Sequence, residues 1–476
     1  MLLILNNTKP IIFYTNYRKM IFFSSNFLIK YDLFVIFINK IKNLISININ
    51  VNMKNTLLLF TIILFCSCKD NELQKFNVFS EKWAKELDRY SNSLIDQNEL
   101  PGLVVMVKKG DKQIFHKSYE YSDVEKKIEL DKNAIFRIAS ITKTITALGI
   151  LKLMENGRLN LDDEIEKYIP EFKTPEVLTY FDSENNTLKT TPANRKITIL
   201  DLLTHYSGVS YGRYTGNDNY TEMYNTFIKD SVVELYTTKK IFLKENIARL
   251  SRVPLVSHPG TSFEYGMSYD ILGYVIELVS GKSLNNFFNE TFFIPLEMEN
   301  TFFYIPEEKT NLLIPVLTNK NGYWANYQSE NYDINYPIKG AKSYYSGGAG
   351  LSGTISDYSN FLTMIVNKGK YKNKRVLKEE TIQLMEKTSL RNITTKEKKL
   401  SHGIATGVKV KKNKIRKSSI SQKEISILFW SGMFGCSYFI NLEDGTIVLV
   451  FKQVYDLKNW IDYDEVYQDI IFDMLY

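Results

Sequence analysis

The chain has 476 residues, 44% of them hydrophobic and 24% charged, with a formal net charge of +7. These proportions match soluble globular chains and exclude a mainly disordered, collagenous or multi-span membrane protein. The basic excess is lopsided: residues 1–52 hold six Lys or Arg against Asp32 alone, and the chain after Cys68 is near balance. A nucleic-acid binder carries its basic surplus on the folded domain, so no nucleic-acid partner is expected.

Residues 1–52 are rich in Ile, Asn, Phe and Lys without a clear period, and Lys30, Asp32, Lys40 and Lys42 interrupt their apolar runs. We read them as upstream sequence ahead of a start at Met53, with a membrane-associated extension as the alternative, and set them aside from the fold. Residues 53–67 combine Lys54, an apolar run from Thr56 to Phe65 and small residues, the pattern of a secretory signal. The run is shorter than the about 20 residues of a membrane-spanning helix. With Phe65-Cys66-Ser67-Cys68 it resembles a bacterial lipoprotein signal peptide. That resemblance implies cleavage before Cys68, lipidation of its thiol and a membrane-anchored place in the bacterial cell envelope. A buried strand or a plain cleaved signal is the alternative. Cys436 would then be the one thiol left to the processed chain, which excludes an internal disulfide.

Residues 68–76 read as a polar tether, and 77–476 as one domain. Phe79, Trp83, Leu87, Tyr90 and Leu94 predict an amphipathic helix over 78–97, broken by Pro101-Gly102. Leu103 to Val107 and Gln113 to Tyr119 predict two strands joined at Lys109-Gly110-Asp111. A helix is expected over 140–156, ending at Gly157. The stretch 144–340 reads as mostly helical with long loops, including a polar surface loop from Glu184 to Arg195 and a helix through Leu272–Val279 ending near Gly281. Four strands follow, at 403–410, 425–430, 437–441 and 446–451, the last two joined at Glu443-Asp444-Gly445. A closing helix spans 462–475. Strands at both ends with helices between them predict an α+β fold: an antiparallel sheet flanked by terminal helices, with a large helical insert and a cleft between the two.

Three stretches carry chemistry. In Ser140-Ile141-Thr142-Lys143, positions three apart share a helix face, so the lysine amine would lie beside the hydroxyl. A serine hydroxyl becomes a useful nucleophile only when a neighbouring base takes its proton. Alone the pattern is weak: chance supplies it in a lysine-rich chain, and it equally fits an N-cap Ser with a solvated Lys. Phe263-Glu264-Tyr265-Gly266-Met267-Ser268 forms a glycine-constrained loop before a helix, where Tyr265 is either a site residue or a core aromatic. Phe429-Trp430-Ser431-Gly432-Met433-Phe434-Gly435 puts small residues at a strand edge, where a substrate could approach the backbone or the chain simply bends.

In this order the three stretches resemble the serine β-lactamase and penicillin-binding-protein superfamily, in particular its class-C-like branch of esterases and peptidases. Leu202-Leu203-Thr204-His205, Ser207-Gly208-Val209 and Ser346-Gly347-Gly348-Ala349-Gly350 support the likeness, which covers about residues 79–470. It implies a β-lactamase/transpeptidase-like fold. It also implies Ser140 as acylated nucleophile, Lys143 as the amine sharing its proton, and Tyr265 as general base or proton relay. The N–H groups of Ser140 and Met433 would form the oxyanion hole. A small-molecule or peptide substrate is implied, with no metal and no organic cofactor; oligomeric state is not implied.

Two departures bear on substrate. Met267 stands where the β-lactamases carry the Asn of Tyr-x-Asn, and Trp430-Ser431-Gly432 replaces their Lys-Thr-Gly. The cation that would meet a substrate carboxylate is therefore missing, and an apolar ring takes its place. Trp430, Ser431, Gly432 and Met267 are the expected substrate-binding positions. Ester or non-standard amide hydrolysis is expected ahead of β-lactam hydrolysis. D-aminopeptidase or carboxypeptidase activity, weak β-lactamase activity, or a silent binding protein are the alternatives. His116, His205, His258 and His402 show no metal-ligand spacing. Lys409 to Lys417 reads as a solvated hairpin.

Overall fold

A computed structural model describes residues 11–13, 21–23 and 82–475, apart from 125, 183, 186, 212–231, 234–235, 330–331, 341, 388–390, 395–398, 405, 413–423 and 457–459. Backbone contacts divide the chain into Met1–Phe76 and Asn77–Tyr476. In the first unit Ile11–Phe13 pairs antiparallel with Ile21–Phe23. The signal-like segment, Cys68 and the tether lie outside the described residues. No helix among the described residues is long and apolar enough to cross a membrane.

In the second unit, apolar spacing of three and four makes helix α1 (82–96), which buries Trp83, Leu87 and Leu94. The strands β1 (Gly102–Lys109), β2 (Lys112–Asp123) and β3 (Ile128–Glu129) follow as an antiparallel meander. Helix α2 (Thr142–Glu155) is buried almost all round, as its mixture of small and apolar residues requires. Helix α3 (Ser268–Ser280) ends at Gly281, whose φ of 72° gives the left-handed cap. Helix α4 (Ile355–Val366) is capped by the Thr354 hydroxyl. The chain then forms β4 (Arg391–Thr394), β5 (Lys399–His402), β6 (Gly407–Lys412), β7 (Glu424–Ser431), β8 (Ser437–Asn441) and β9 (Thr446–Phe451), and closes with helix α5 (Trp460–Leu475).

The nine strands described form one antiparallel sheet in the order β4-β5-β6-β7-β8-β9-β1-β2-β3. Its centre joins the two ends of the domain, because β9 pairs with β1 from Thr446–Lys109 to Phe451–Val104. Alternation along these strands splits the core in two. Leu103, Val105, Val107, Val448 and Val450 pack with Trp83, Leu87, Tyr467 and Ile471 of the terminal helices. Val104, Met106, Leu428, Ile447 and Leu449 pack toward the insert with α2, α3 and α4. The expected α+β sandwich is thus the observed one.

Two expectations are corrected. Thr187–Pro192, inside the stretch expected to be a polar surface loop, pairs as a strand with Glu176–Asp182, and Leu317–Lys320 pairs with Tyr323–Asn326 in the region expected to hold mostly helices and loops. Cross-strand contacts such as Lys189 over the Tyr180 ring support a segment too polar to signal a strand locally. The strand expected over 403–410 begins only at Gly407, as β6; the chain first turns out of β5, with Gly403 N–H donating to the Thr406 carbonyl at 2.8 Å. Hydrophobicity cannot distinguish a straight strand from a hairpin of the same composition. Of the basic stretch, Lys409 pairs with Glu465 at 3.0 Å; residues 413–417 lie outside the described residues.

Candidate active site

Ser140 does not sit on the α-helix itself. It occupies a single 3-10 turn, Ala139–Ile141, that feeds α2. Ala139 has φ 48°, a left-handed conformation that non-glycine residues adopt at a cost of roughly 1–2 kcal/mol. The turn is held from behind. Phe136 and Arg137 pair with Gly353 and Ser352. The buried Arg137 guanidinium donates to the carbonyls of Ile314 (2.9 Å), Tyr336 (2.7 Å) and Ile334 (3.4 Å). Among the described residues it meets no carboxylate.

One turn after Ser140, at the second residue of α2, the Lys143 side chain is completely buried. Its amine donates to the Gly348 carbonyl at 2.8 Å, to Ser140 Oγ at 3.3 Å and to the Tyr211 hydroxyl at 3.4 Å. It lies 4.8 Å from the centroid of the Tyr265 ring. The Tyr265 hydroxyl meets Ser140 Oγ at 2.8 Å. Two separate signals in the sequence, Ser140-x-x-Lys143 and Tyr265, therefore meet at the Ser140 hydroxyl oxygen.

Glycines make the approach possible. A β-carbon on Gly266 would lie 2.3 Å from the Val209 carbonyl, so only glycine lets the Tyr265 loop lie on the 207–211 segment. That contact brings in Tyr211, a residue the sequence reading passed over. Its N–H donates to the Tyr265 carbonyl at 3.4 Å, and the two rings are 5.7 Å apart. The available signal was Ser207-Gly208-Val209, two residues upstream. A β-carbon on Gly432 would lie 2.4 Å from the Ile138 carbonyl, so the end of β7 is pressed against the strand leading to Ser140. Gly432 N–H is used within its own turn, donating to Cys436 at 2.7 Å. Among the described residues, neither the Ser140 nor the Met433 N–H donates to a backbone carbonyl.

Trp430 stands half-buried beside this turn, 6.0 Å from the Tyr265 ring and 5.0 Å from His402, and its buried indole N–H has no partner among the described residues. Ser431 is partly exposed and Met433 is 43% exposed. Met267 departs from expectation. It is fully buried in the core beneath α3, so its side chain packs inward and offers a substrate no surface. The substitution of an apolar residue at that position builds core rather than a contact.

Behind Tyr265, His205 and His402 meet at 5.6 Å, and His205 lies 4.7 Å from the Tyr265 ring. Burial holds both imidazoles uncharged: His402 is pushed down to about 4 and His205 well below its ordinary value, with the Lys143 charge acting in the same direction. Among the described residues no group of three or more His, Cys, Asp or Glu is placed to hold a metal. Cys436 is buried, and burial raises its thiol far above the ordinary range.

A Beta-lactamase family model matches residues 81–459. Protein Rv1367c of Mycobacterium tuberculosis is 27% identical over 296 residues, 61% of this chain and 68% of that protein. Protein flp of Staphylococcus aureus is 31% identical over 220 residues, 46% of this chain and 38% of that protein. Among solved structures, EstCE1, described as a hydrolase with promiscuous acyltransferase activity, superposes with a TM-score of 0.66 at 23% identity, over 83% of this chain and all of that one. That likeness speaks for the fold alone. The family match spans most of the chain and contains all three motif stretches, and the chain belongs to the β-lactamase family.

Proposed function

We propose that this protein is a serine hydrolase that acts through an acyl-enzyme on Ser140. The supporting observation is the convergence on Ser140 Oγ of the Tyr265 hydroxyl at 2.8 Å and the Lys143 amine at 3.3 Å. In the structure both groups donate to Oγ; either one, once it has given up its own proton, is placed to take the proton that leaves Oγ on nucleophilic attack. Oγ bonds to the substrate carbonyl carbon, and the oxyanion is received by the N–H groups of Ser140 and Met433. The ester or amide bond then breaks, and the leaving group takes up the proton that Ser140 lost. Water adds to the acyl carbon in the second half and releases the acid, with the proton returning to Oγ.

The preferred substrate is an ester or a non-standard amide, cell-wall-derived compounds included, ahead of a β-lactam. Trp430 fills the edge position where a cation would hold a carboxylate, and EstCE1, which shares the fold, is itself described as a hydrolase. The protein works anchored to the bacterial cell envelope through lipid on Cys68. Recovery of an unmodified peptide spanning Cys66 and Cys68 from native protein would refute the anchor.

The test of the chemistry is the intact mass of the purified chain after exposure to a fluorophosphonate. A single adduct, lost in Ser140→Ala, is expected. No adduct on folded protein would shift the reading to a fold retained for binding.

A further inference from the structure

The turn that receives the Lys143 amine is itself held by an acid. Asp270, in the first turn of α3, is completely buried. The Ser346 hydroxyl donates to its Oδ1 at 2.5 Å, and Ser346 Oγ in turn accepts from the Ala349 N–H at 3.1 Å. Among the described residues its Oδ2 accepts no hydrogen bond of full geometry, but it faces the same turn: a β-carbon on Gly348 would lie 2.5 Å from it, and the Gly348 backbone N–H favours the ionised carboxyl. Gly347 is locked in the same way, 2.5 Å from the Tyr269 carbonyl by the same measure, and its own carbonyl accepts from Thr146 of α2 at 2.7 Å. So α2, α3 and the 346–350 turn interlock around two glycines. The Gly348 carbonyl delivered by this lock is the best-placed acceptor that the Lys143 amine has, at 2.8 Å.

We infer that Asp270 is a positioning residue for Lys143: its carboxylate, anchored on Ser346, fixes the turn whose Gly348 carbonyl holds the amine, and supplies the negative charge that balances the amine when it carries a proton. The inference rests on the acyl-enzyme reading of Ser140. An uncompensated ammonium in a buried site is costly, and the described residues place no carboxylate in contact with Lys143. Asp270 meets that need from one peptide away, where it cannot form a direct ion pair that would tie up the amine.

The arrangement has a consequence in pH. Burial pushes the Asp270 carboxyl up to about 6, against the Ser346 hydrogen bond and the Lys143 charge, which both favour the ionised form. The other groups that feel this carboxylate are the phenols of Tyr344 and Tyr336, which burial keeps protonated. His402, which also senses Lys143, is pushed down to about 4. Acylation should therefore fall as Asp270 takes up its proton, on a limb near pH 6.

The test measures the rate of fluorophosphonate labelling of the full chain between about pH 5 and 9. Wild type should lose about tenfold per pH unit below the limb, as loss of one essential ionised group requires. Asp270→Asn should label about 10–100-fold more slowly at pH 8 and show no limb near 6. Ser346→Ala, which loses the bond favouring the carboxylate, should move the limb upward by about one unit. An Asp270→Asn profile that keeps the limb, or that labels at the wild-type rate at pH 8, overturns the inference. If that variant does not fold, an unmoved limb in Ser346→Ala overturns it instead. Should wild type fail to label at any pH, the acyl-enzyme reading fails first. Asp270 is then judged by its infrared carboxyl band, whose failure to titrate near pH 6 refutes the inference separately.

Discussion

The two faces of the sheet each bury a lysine, and they treat it oppositely. On the face covered by the terminal helices, Lys452 meets Asp464 of α5 in a direct ion pair at 2.6 Å, with both side chains almost inaccessible. On the face covered by the insert, Lys143 is equally buried, but among the described residues its hydrogen bonds go to neutral oxygens of Ser140, Tyr211 and Gly348. The first arrangement closes a structure. The second keeps an amine free to exchange a proton with its neighbours. Unsatisfied atoms follow the same division: the His205 and His402 nitrogens, the Trp430 N–H and one Asp270 oxygen all lie on the insert side. Polar groups without partners cost stability, so a fold tolerates them where chemistry uses them.

The comparison can be broken in several places. The largest effect is on turnover: Ser140→Ala should lower kcat by roughly 10⁴-fold or more while leaving the melting temperature unchanged. Residual activity near wild type would remove the site assignment. Next come the two lysines. Lys452→Met leaves Asp464 buried without its partner and should destabilise by about 3–5 kcal/mol, whereas Lys452→Met with Asp464→Leu should recover most of that loss. Lys143→Met should do the reverse, costing turnover by orders of magnitude but little stability. Denaturant titration and ester hydrolysis on the same four proteins decide it, and equal stability losses at both lysines would erase the distinction.

A smaller effect sharpens the difference further. The Asp270 carboxyl is raised in the folded chain from 3.8 to about 6, so the folded state binds its proton more tightly than the unfolded state. The sign follows: stability present below pH 4 is lost as pH rises through 6. That loss is about 3 kcal/mol for a shift of this size. Relative to wild type, Asp270→Asn should gain by about that amount between pH 4 and 8, read from unfolding midpoints. A constant difference would show that the carboxyl is not held in its neutral form. The smallest predicted change is geometric. Gly432→Ala, whose methyl would meet the Ile138 carbonyl, should cut kcat by about 10²-fold, as loss of one oxyanion donor does, with KM nearly unchanged.

Much of the sheet was legible because the short, mostly apolar runs of β1, β8 and β9, buried on both faces, are a local property. Both β8 and β9 lie where 437–441 and 446–451 predicted them. The hairpin at Thr187–Pro192 was not legible, since its residues are polar and gain their order only from the facing strand. In the site, Ser140 and Lys143 share one short motif and Tyr265 lies in a second, and the resemblance of those motifs to the family made them readable. Tyr211 and Asp270 were not, because a tyrosine among 31 and a carboxylate on a helix carry no local mark. Met267 misled for a related reason: motif alignment gives a position, and burial decides where the side chain goes.

What the sequence alone determined is therefore the fold class and the family, since periodicity and short-range motifs depend on neighbours a few residues away, and the resemblance of those motifs to the family marked the candidate groups. Tertiary structure decided which of those groups meet, and what stands behind them. Gly266, Gly348 and Gly432 let backbone come close to Val209, Asp270 and Ile138, contacts between segments distant in the chain. The charge balance inferred at Lys143 depends on those contacts, because electrostatic coupling in a buried site is set by distance in space and by the loss of water, neither of which is written along the chain.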